Sequence, residues 1–102
     1  MANYILAYHG GKMPDTPEEG AKLMARWTDW LNGLGKAAVD PGHPVGKSKT
    51  LSKSGVTHDG GANPLSGYSI VESDSIEGAI KLAKGCPHLD DGTIEIAELM
   101  KM

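Results

Sequence analysis

The last third of the 102-residue chain constrains the fold most, because strand, helix and strand follow one another there with clear boundaries. Residues 68–72 have the alternation and the β-branched content of a strand. Apolar side chains then recur at i, i+3, i+4 and i+7 from Ile76, which predicts a helix with Asp74 as its N-terminal cap. Gly85 ends this helix, and residues 93–99 predict a final strand.

The preceding part of the chain repeats this order in a looser form. Residues 4–9 predict a strand whose two faces are both largely apolar. Thr16 caps a predicted helix that runs to about Leu34, with its two tryptophans packed in the core. A short strand is predicted over residues 36–40, and the Pro-Gly-His-Pro sequence at residues 41–44 is expected to end it.

The segment between the two halves is irregular in composition. Residues 45–66 are rich in Gly, Ser, Lys, Asn and Pro and contain few large apolar side chains. A weak strand is predicted over residues 49–52, followed by a turn at residues 54–55. A long irregular segment inside a compact domain is often functional or mobile.

The predicted element order is β-α-β-β-α-β within one domain, residues 1–102. Two such halves form an antiparallel α+β sheet with both helices on one face. The other face is then bare, and a chain of this length has no spare segment to cover it. We therefore predict a homodimer in which the bare sheet face is buried against its own copy.

Composition excludes several classes of function. The net charge of −3 argues against the basic footprint of a nucleic-acid-binding protein. Residues 1–8 lack the features of a signal peptide, and no apolar stretch approaches the roughly 20 residues of a membrane span. The single cysteine, Cys86, excludes an intrachain disulfide and fits a reducing compartment. We expect a cytoplasmic protein with neither nucleic-acid nor membrane partners.

Eight short segments, taken in their order and spacing, match the pattern of one known family. They are residues 4–10, 17–19, 24–27, 34–35, 58–61, 67–72, 83–87 and 92–96. Together they resemble the YCII-related family, and within it the DGPF-domain branch, over nearly the whole chain. This resemblance implies a ferredoxin-like β-α-β-β-α-β domain that pairs into a dimeric α+β barrel with a cleft between or beside the sheets.

The chain departs from that family at two places. Only Asp59 and Gly60 of the Asp-Gly-Pro-Phe signature are present, since Gly61 and Ala62 stand where the family has Pro and Phe. The enzyme-like branch carries a histidine on its first helix that pairs with an aspartate, and this helix contains no histidine. That dyad therefore does not transfer to this chain.

Proton-transfer chemistry would use the histidines, because imidazole titrates near neutrality. The candidate catalytic residues are His9, His43, His58, Asp40 and Asp59. A turn at residues 41–42 would bring Asp40 to His43, and a turn would be needed to pair His58 with Asp59. Surface turns with solvated or structural histidines are the alternative in each case.

Two tyrosines complete the predicted site. Tyr8 and Tyr68 are candidate ligand contacts beside His9, which ends the first strand. No two histidines have the i, i+4 spacing of a helical metal site, and Cys86 with His88 gives too few ligands for zinc. The Gly-rich stretches lack a phosphate-loop ending. We predict neither a metal nor a cofactor.

Two functions remain from the sequence. The first is a homodimer with a small-molecule cleft that uses His and Asp in acid–base chemistry. The second is a non-catalytic regulatory or protein-interaction module, because some members of the family that the chain resembles are fused to, or lie near, transcription-initiation factors.

Overall fold

The computed structural model describes residues 1–101 as an α+β chain built on a four-stranded antiparallel sheet. The elements are β1 (Ala2–Gly10), α1 (Pro17–Leu34), β2 (Ala38–Pro44), β3 (Thr50–Ser52), β4 (Gly55–Thr57), β5 (Leu65–Ser73), α2 (Ile76–Ala83) and β6 (Gly92–Glu98). The sheet order is β2-β5-β1-β6, and β3 pairs only with β4. This arrangement confirms the predicted α+β class with two helices and is compatible with a ferredoxin-like fold.

Both helices pack on one face of the sheet, where the core lies. Tyr4, Leu6 and Tyr8 alternate along β1 and are buried, as is Val71 on the neighbouring β5. The side chains packed on them from the helices and the last strand are Trp27, Trp30, Leu34, Ala79, Leu82, Ala83, Ile94 and Ile96. The period-2 burial of β1 is typical of a strand with only one covered face.

The opposite face of the sheet, here called the open face, has apolar and polar members. They are Ile5, Ala7, His9, His43, Tyr68, Ile70, Glu72, Glu95, Ala97 and Leu99. Cross-strand pairing places Ile5 beside Ile70, and Ala7 between Tyr68 and Glu95. The strand residues in the middle of this face are only half-buried, because no helix lies over them.

The chain is thin in the direction perpendicular to its largest dimensions. Its Cα extents are 43 × 42 × 17 Å and its radius of gyration is 14.8 Å. A compact domain of this length has a radius of gyration of about 12.8 Å. One sheet with one helix layer therefore spreads the chain more widely than a closed core would.

The β3–β4 hairpin, here called the arm, contributes to this spread. All six of its strand residues are exposed, and it pairs with no other strand. Leu51 and Val56 lie opposite each other and are 78% and 52% exposed. The sequence predicted a weak strand at residues 49–52 and a turn at residues 54–55, and it missed the second strand of this hairpin.

The predicted boundaries of β2 were wrong. The strand begins at Ala38, after a 3-10 turn, and continues to Pro44 instead of ending before Pro41. Its register against β5 shifts twice, and Gly42 has a φ of +76° where its backbone approaches the Tyr68 carbonyl. β2 is an edge strand, where bulges and prolines are tolerated because one side of the ladder is unpaired.

The N-terminal cap predicted from the sequence is correct for α1 and wrong for α2. Thr16 caps α1 as predicted, since its hydroxyl accepts a hydrogen bond from the Glu19 N–H at 3.1 Å. The predicted cap of α2, Asp74, was wrong by one residue. Ser75 has the extended backbone of a cap, and its hydroxyl accepts from the Gly78 N–H at 3.1 Å.

Replacing the true cap of α2 tests this assignment. Ser75→Ala is expected to lower the free energy of unfolding by about 1 kcal/mol, because the Gly78 N–H loses its acceptor. Ser75→Asn retains a capping oxygen and should stay close to the wild type. Asp74→Asn should cost only a few tenths of a kcal/mol through the helix dipole. Urea denaturation measures all three, and a larger loss for Asp74→Asn than for Ser75→Ala would contradict the assignment.

Candidate functional site

His9 lies on the open face at the end of β1 and bridges two parts of the chain. Its Nδ1 lies 3.0 Å from the backbone carbonyl of Asn63, and its Nε2 lies 3.1 Å from Glu95 Oε1. The side chain of His9 is only 15% exposed. A carbonyl and a carboxylate only accept hydrogen bonds, so either ring nitrogen of His9 can donate to its partner when it carries a proton.

Glu95 was missed in the sequence analysis. Its side chain is 74% exposed, so the ion pair with His9 opens directly to solvent. The signal was the alternation of β6, in which Glu95 falls between Ile94 and Ile96 and therefore points away from the core. Only the pairing of β6 with β1 brings this carboxylate beside His9.

His43 and Tyr68 form a second pair on the open face. They lie opposite each other on β2 and β5, with ring centroids 6.3 Å apart in an edge-to-face arrangement. Tyr68 also lies opposite Ala7 of β1. β5 lies between β2 and β1, and His9 is two residues along β1 from Ala7, which places His43 and His9 about 12 Å apart across the sheet.

Asp40 does not pair with His43. Its Oδ1 accepts a hydrogen bond from the Gly42 N–H at 2.8 Å, which stabilises the bulge of β2. The turn that was expected to bring Asp40 to His43 therefore uses the carboxylate for its own backbone.

His58 and Asp59 lie at the base of the arm, and both are exposed. Asp59 Oδ1 accepts from the Gly61 N–H at 3.0 Å, and its carbonyl accepts from the Thr50 hydroxyl at 2.9 Å. These contacts are those of a surface turn. Within residues 1–101, no hydrogen bond or ion pair joins any two of His9, Asp40, His43, His58 and Asp59.

Tyr8 lies on the helix-covered face, whereas Tyr68 lies on the open face. The Tyr8 hydroxyl donates to Ser69 Oγ at 2.7 Å, and Ser69 Oγ donates to the Pro41 carbonyl at 2.8 Å. Burial raises the pKa of Tyr8 well above its usual value. Its ring packs edge-to-face on Trp27 at 5.3 Å between centroids. Tyr8 therefore serves the core and shares no face with His9.

Cys86 is also buried beside Tyr8. Burial in the core raises the pKa of its thiol to about 11, with a smaller opposing effect from the His88 backbone N–H. A neutral thiol is a weak nucleophile, so this burial disfavours a reactive role for Cys86.

The part of the chain that the structure describes contains no group of three or more His, Cys, Asp or Glu side chains able to hold a metal ion. A cleft of about 530 Å³ lies along α2 between Ser75 and Lys84, and one of about 350 Å³ lies beside the start of α1. None of the predicted site residues lines either cleft. Among residues 1–101, no helix is long and apolar enough to cross a membrane.

Comparison with known proteins adds no assignment. No protein-family model matches the chain, and no curated protein is similar enough to it to count as a match. The resemblance to the YCII-related family therefore stays a prediction, and the site rests on its geometry.

Two matched substitutions distinguish the core tyrosine from the surface tyrosine. Tyr8→Phe is expected to lower the free energy of unfolding by about 1 kcal/mol, because the buried Ser69 Oγ loses its donor. Tyr68→Phe should change it by less than about 0.5 kcal/mol, since this ring lies on the open face. Urea denaturation compares the two variants, and equal losses would contradict the different placement of the two hydroxyls.

Proposed function

We propose that the chain is a homodimer whose protomers pack through their open faces, forming an α+β barrel with a small-molecule site around His9. The observation that carries the proposal is the His9–Glu95 pair, held on a sheet face that is otherwise largely apolar. An apolar face next to a few convergent polar groups is the usual composition of a ligand site.

The size of the open face supports a second copy as its cover. Four strands about 4.8 Å apart and seven to nine residues long give a footprint of roughly 500 Å². Stable interfaces bury about 800 Å² of accessible surface on each partner, and corrugated side chains expose more than the flat footprint. The open face is therefore of the right order for a dimer interface.

The chemistry of His9 favours an acid. The imidazolium donates from Nδ1 to the Asn63 carbonyl, which fixes the ring, and from Nε2 to Glu95. Because Glu95 is exposed, its carboxylate can move aside and leave the Nε2–H to a ligand oxygen. A carbonyl or carboxylate oxygen fits this donor, and Nε2 can transfer its proton to an oxygen that gains negative charge.

His43 and Tyr68 provide the second side of the site. Ala7 lies beside Tyr68 and is the neighbour of His9 on this face of β1, whereas Ile5 and Ile70 form the next row of the face and extend its apolar surface away from His9. The ligand class is therefore a small carboxylic acid or ketone with an apolar body, bound by His9 at one end and by Tyr68 or His43 at the other.

An interaction module is the second candidate. The exposed arm and the position of the two clefts, both away from His9, favour it over catalysis within a lone protomer. This alternative predicts that no small molecule stabilises the chain, and that the chain binds a protein other than a second copy of itself.

A charge on the open face tests the dimer. Ile70→Asp is expected to weaken dimerisation at least about a hundredfold, because an unpaired carboxylate would be buried at the centre of the interface. Ile80→Asp, on the outer side of α2, is the matched control and should leave the association constant within about threefold. Sedimentation velocity from nanomolar to micromolar concentration measures both variants. A monomeric wild type at all these concentrations would contradict the dimer.

Ligand stabilisation tests the site. A panel of small carboxylic acids and ketones, screened by thermal unfolding, should contain members that raise the melting temperature of the wild type. His9→Gln should abolish this shift, because glutamine cannot donate from both positions with a positive charge. Tyr68→Phe and His43→Gln should each reduce it.

His58→Gln is the control for the loss of a histidine, since His58 is exposed at the base of the arm. It should retain the full shift. An equal shift in His9→Gln and His58→Gln would remove His9 from the site, and the absence of any stabilising compound would favour the interaction module.

A further inference from the structure

The distribution of charge separates the arm from the rest of the chain. Residues 45–57 contain Lys47, Lys49 and Lys53 and no acidic residue, so this segment carries a charge of +3. The remaining residues hold seven of the ten basic side chains and all thirteen acidic ones, which gives −6 with neutral histidines. Lys53 lies in the arm, Lys47 and Lys49 lie just before it, and the three are here called the arm lysines. This basic segment contrasts with an otherwise acidic chain.

The four-stranded sheet carries charged residues of one sign only, apart from its histidines. β1, β2, β5 and β6 contain no lysine or arginine, whereas they carry Asp40, Glu72, Glu95 and Glu98. Two of these acids, Glu72 and Glu95, lie on the open face, so two such faces packed together would bring like charges to the dimer interface. Complementary charge has to come from another segment, and the arm lysines lie in the connection between β2 and β5.

The arm also has an uncovered apolar pair. Leu51 and Val56 lie opposite each other on a hairpin that no other strand supports. An isolated two-stranded hairpin is marginally stable in water, and apolar cross-strand pairs gain most of their free energy when something covers them. We therefore expect the arm to pack on another surface.

The β6 margin of the open face, formed by Glu95, Ala97 and Leu99, has the matching properties. Leu99 is 40% exposed, the side chain of Glu95 is 74% exposed, and β6 is an edge strand whose partner in the sheet is β1. Sheets pack about 10 Å apart, and residues 45–52 can extend up to about 26 Å, so the arm can reach across to a second copy.

We propose that the arm of each protomer packs on the β6 margin of the second copy, with Leu51 and Val56 against Ala97 and Leu99 and the arm lysines beside Glu95. This inference rests on the proposed dimer and extends it. A lysine beside Glu95 draws the carboxylate away from His9 Nε2, so the second copy both closes the site and frees its proton donor.

Charge reversal in the arm tests the contact in the full-length protein. Lys47→Glu, Lys49→Glu and Lys53→Glu together should weaken dimerisation roughly tenfold or more at low salt, because attractive pairs become repulsive. The control combines Lys22→Glu, Lys81→Glu and Lys84→Glu, which change the net charge equally on the two helices. Adding Glu95→Lys to the arm variant should restore most of the loss. Sedimentation at 20 mM and 500 mM salt gives the dissociation constants.

A direct contact measurement complements the affinities. In mixed dimers of isotope-labelled and unlabelled protomers, the Leu51 and Val56 methyl groups should show intermolecular nuclear Overhauser effects to Ala97 and Leu99. Leu51→Ser should remove these effects and weaken the dimer. The circular dichroism spectrum of this variant should match that of the wild type.

The outcomes separate this inference from the proposed dimer. A monomeric wild type removes both. If the arm and control variants weaken the dimer equally, the arm contact is overturned and the open-face dimer stays in place. The same conclusion follows if the wild-type dimer lacks these intermolecular nuclear Overhauser effects. Binding of a short DNA duplex that the arm variant loses while its dimerisation is unchanged would assign the arm to an anionic polymer and also overturn the proposal.

Discussion

The packing of two helices on one face of a four-stranded sheet is the constraint on which the rest of this structure depends. The buried side chains Tyr4, Leu6 and Tyr8 alternate along β1, and Val71 completes the core from β5. The same alternation sends Ile5, Ala7 and His9 to the open face. A chain that buries one face of its sheet in this way leaves the other face uncovered, because successive side chains of a strand point to opposite faces.

At the end of β1, His9 is held by contacts from both faces of the sheet. His88 Nε2 donates to the backbone carbonyl of His9 at 2.9 Å, and its ring lies 5.2 Å from the Tyr8 ring on the core side. A side chain at Gly92 would collide with the His88 ring. The backbone of His9 is therefore held from the core while its imidazole is held from the open face by Glu95 and Asn63. These contacts give the His9 imidazole a fixed position on an otherwise uncovered surface.

The residues around β2 show how polar groups adapt to an irregular strand. Gly42 brings the backbone close to the Tyr68 carbonyl, Asp40 satisfies the Gly42 N–H, and Ser69 links Pro41 to the Tyr8 hydroxyl. These hydrogen bonds position His43 beside Tyr68 on the open face.

The sequence by itself determined the order of the main elements, the limits of α1, its cap at Thr16, and the one-sided burial of the sheet. These features depend on local periodicity and on residues close together in the chain. Tertiary structure decided the partners of the polar side chains. The pairing of β6 with β1 gave His9 the carboxylate of Glu95, 86 positions away, instead of Asp40 or Asp59. The close approach of β2 to β5 kept Pro41 and Pro44 inside an edge strand. Local patterns cannot specify such contacts, because they depend on which strands become neighbours and in which register they pair.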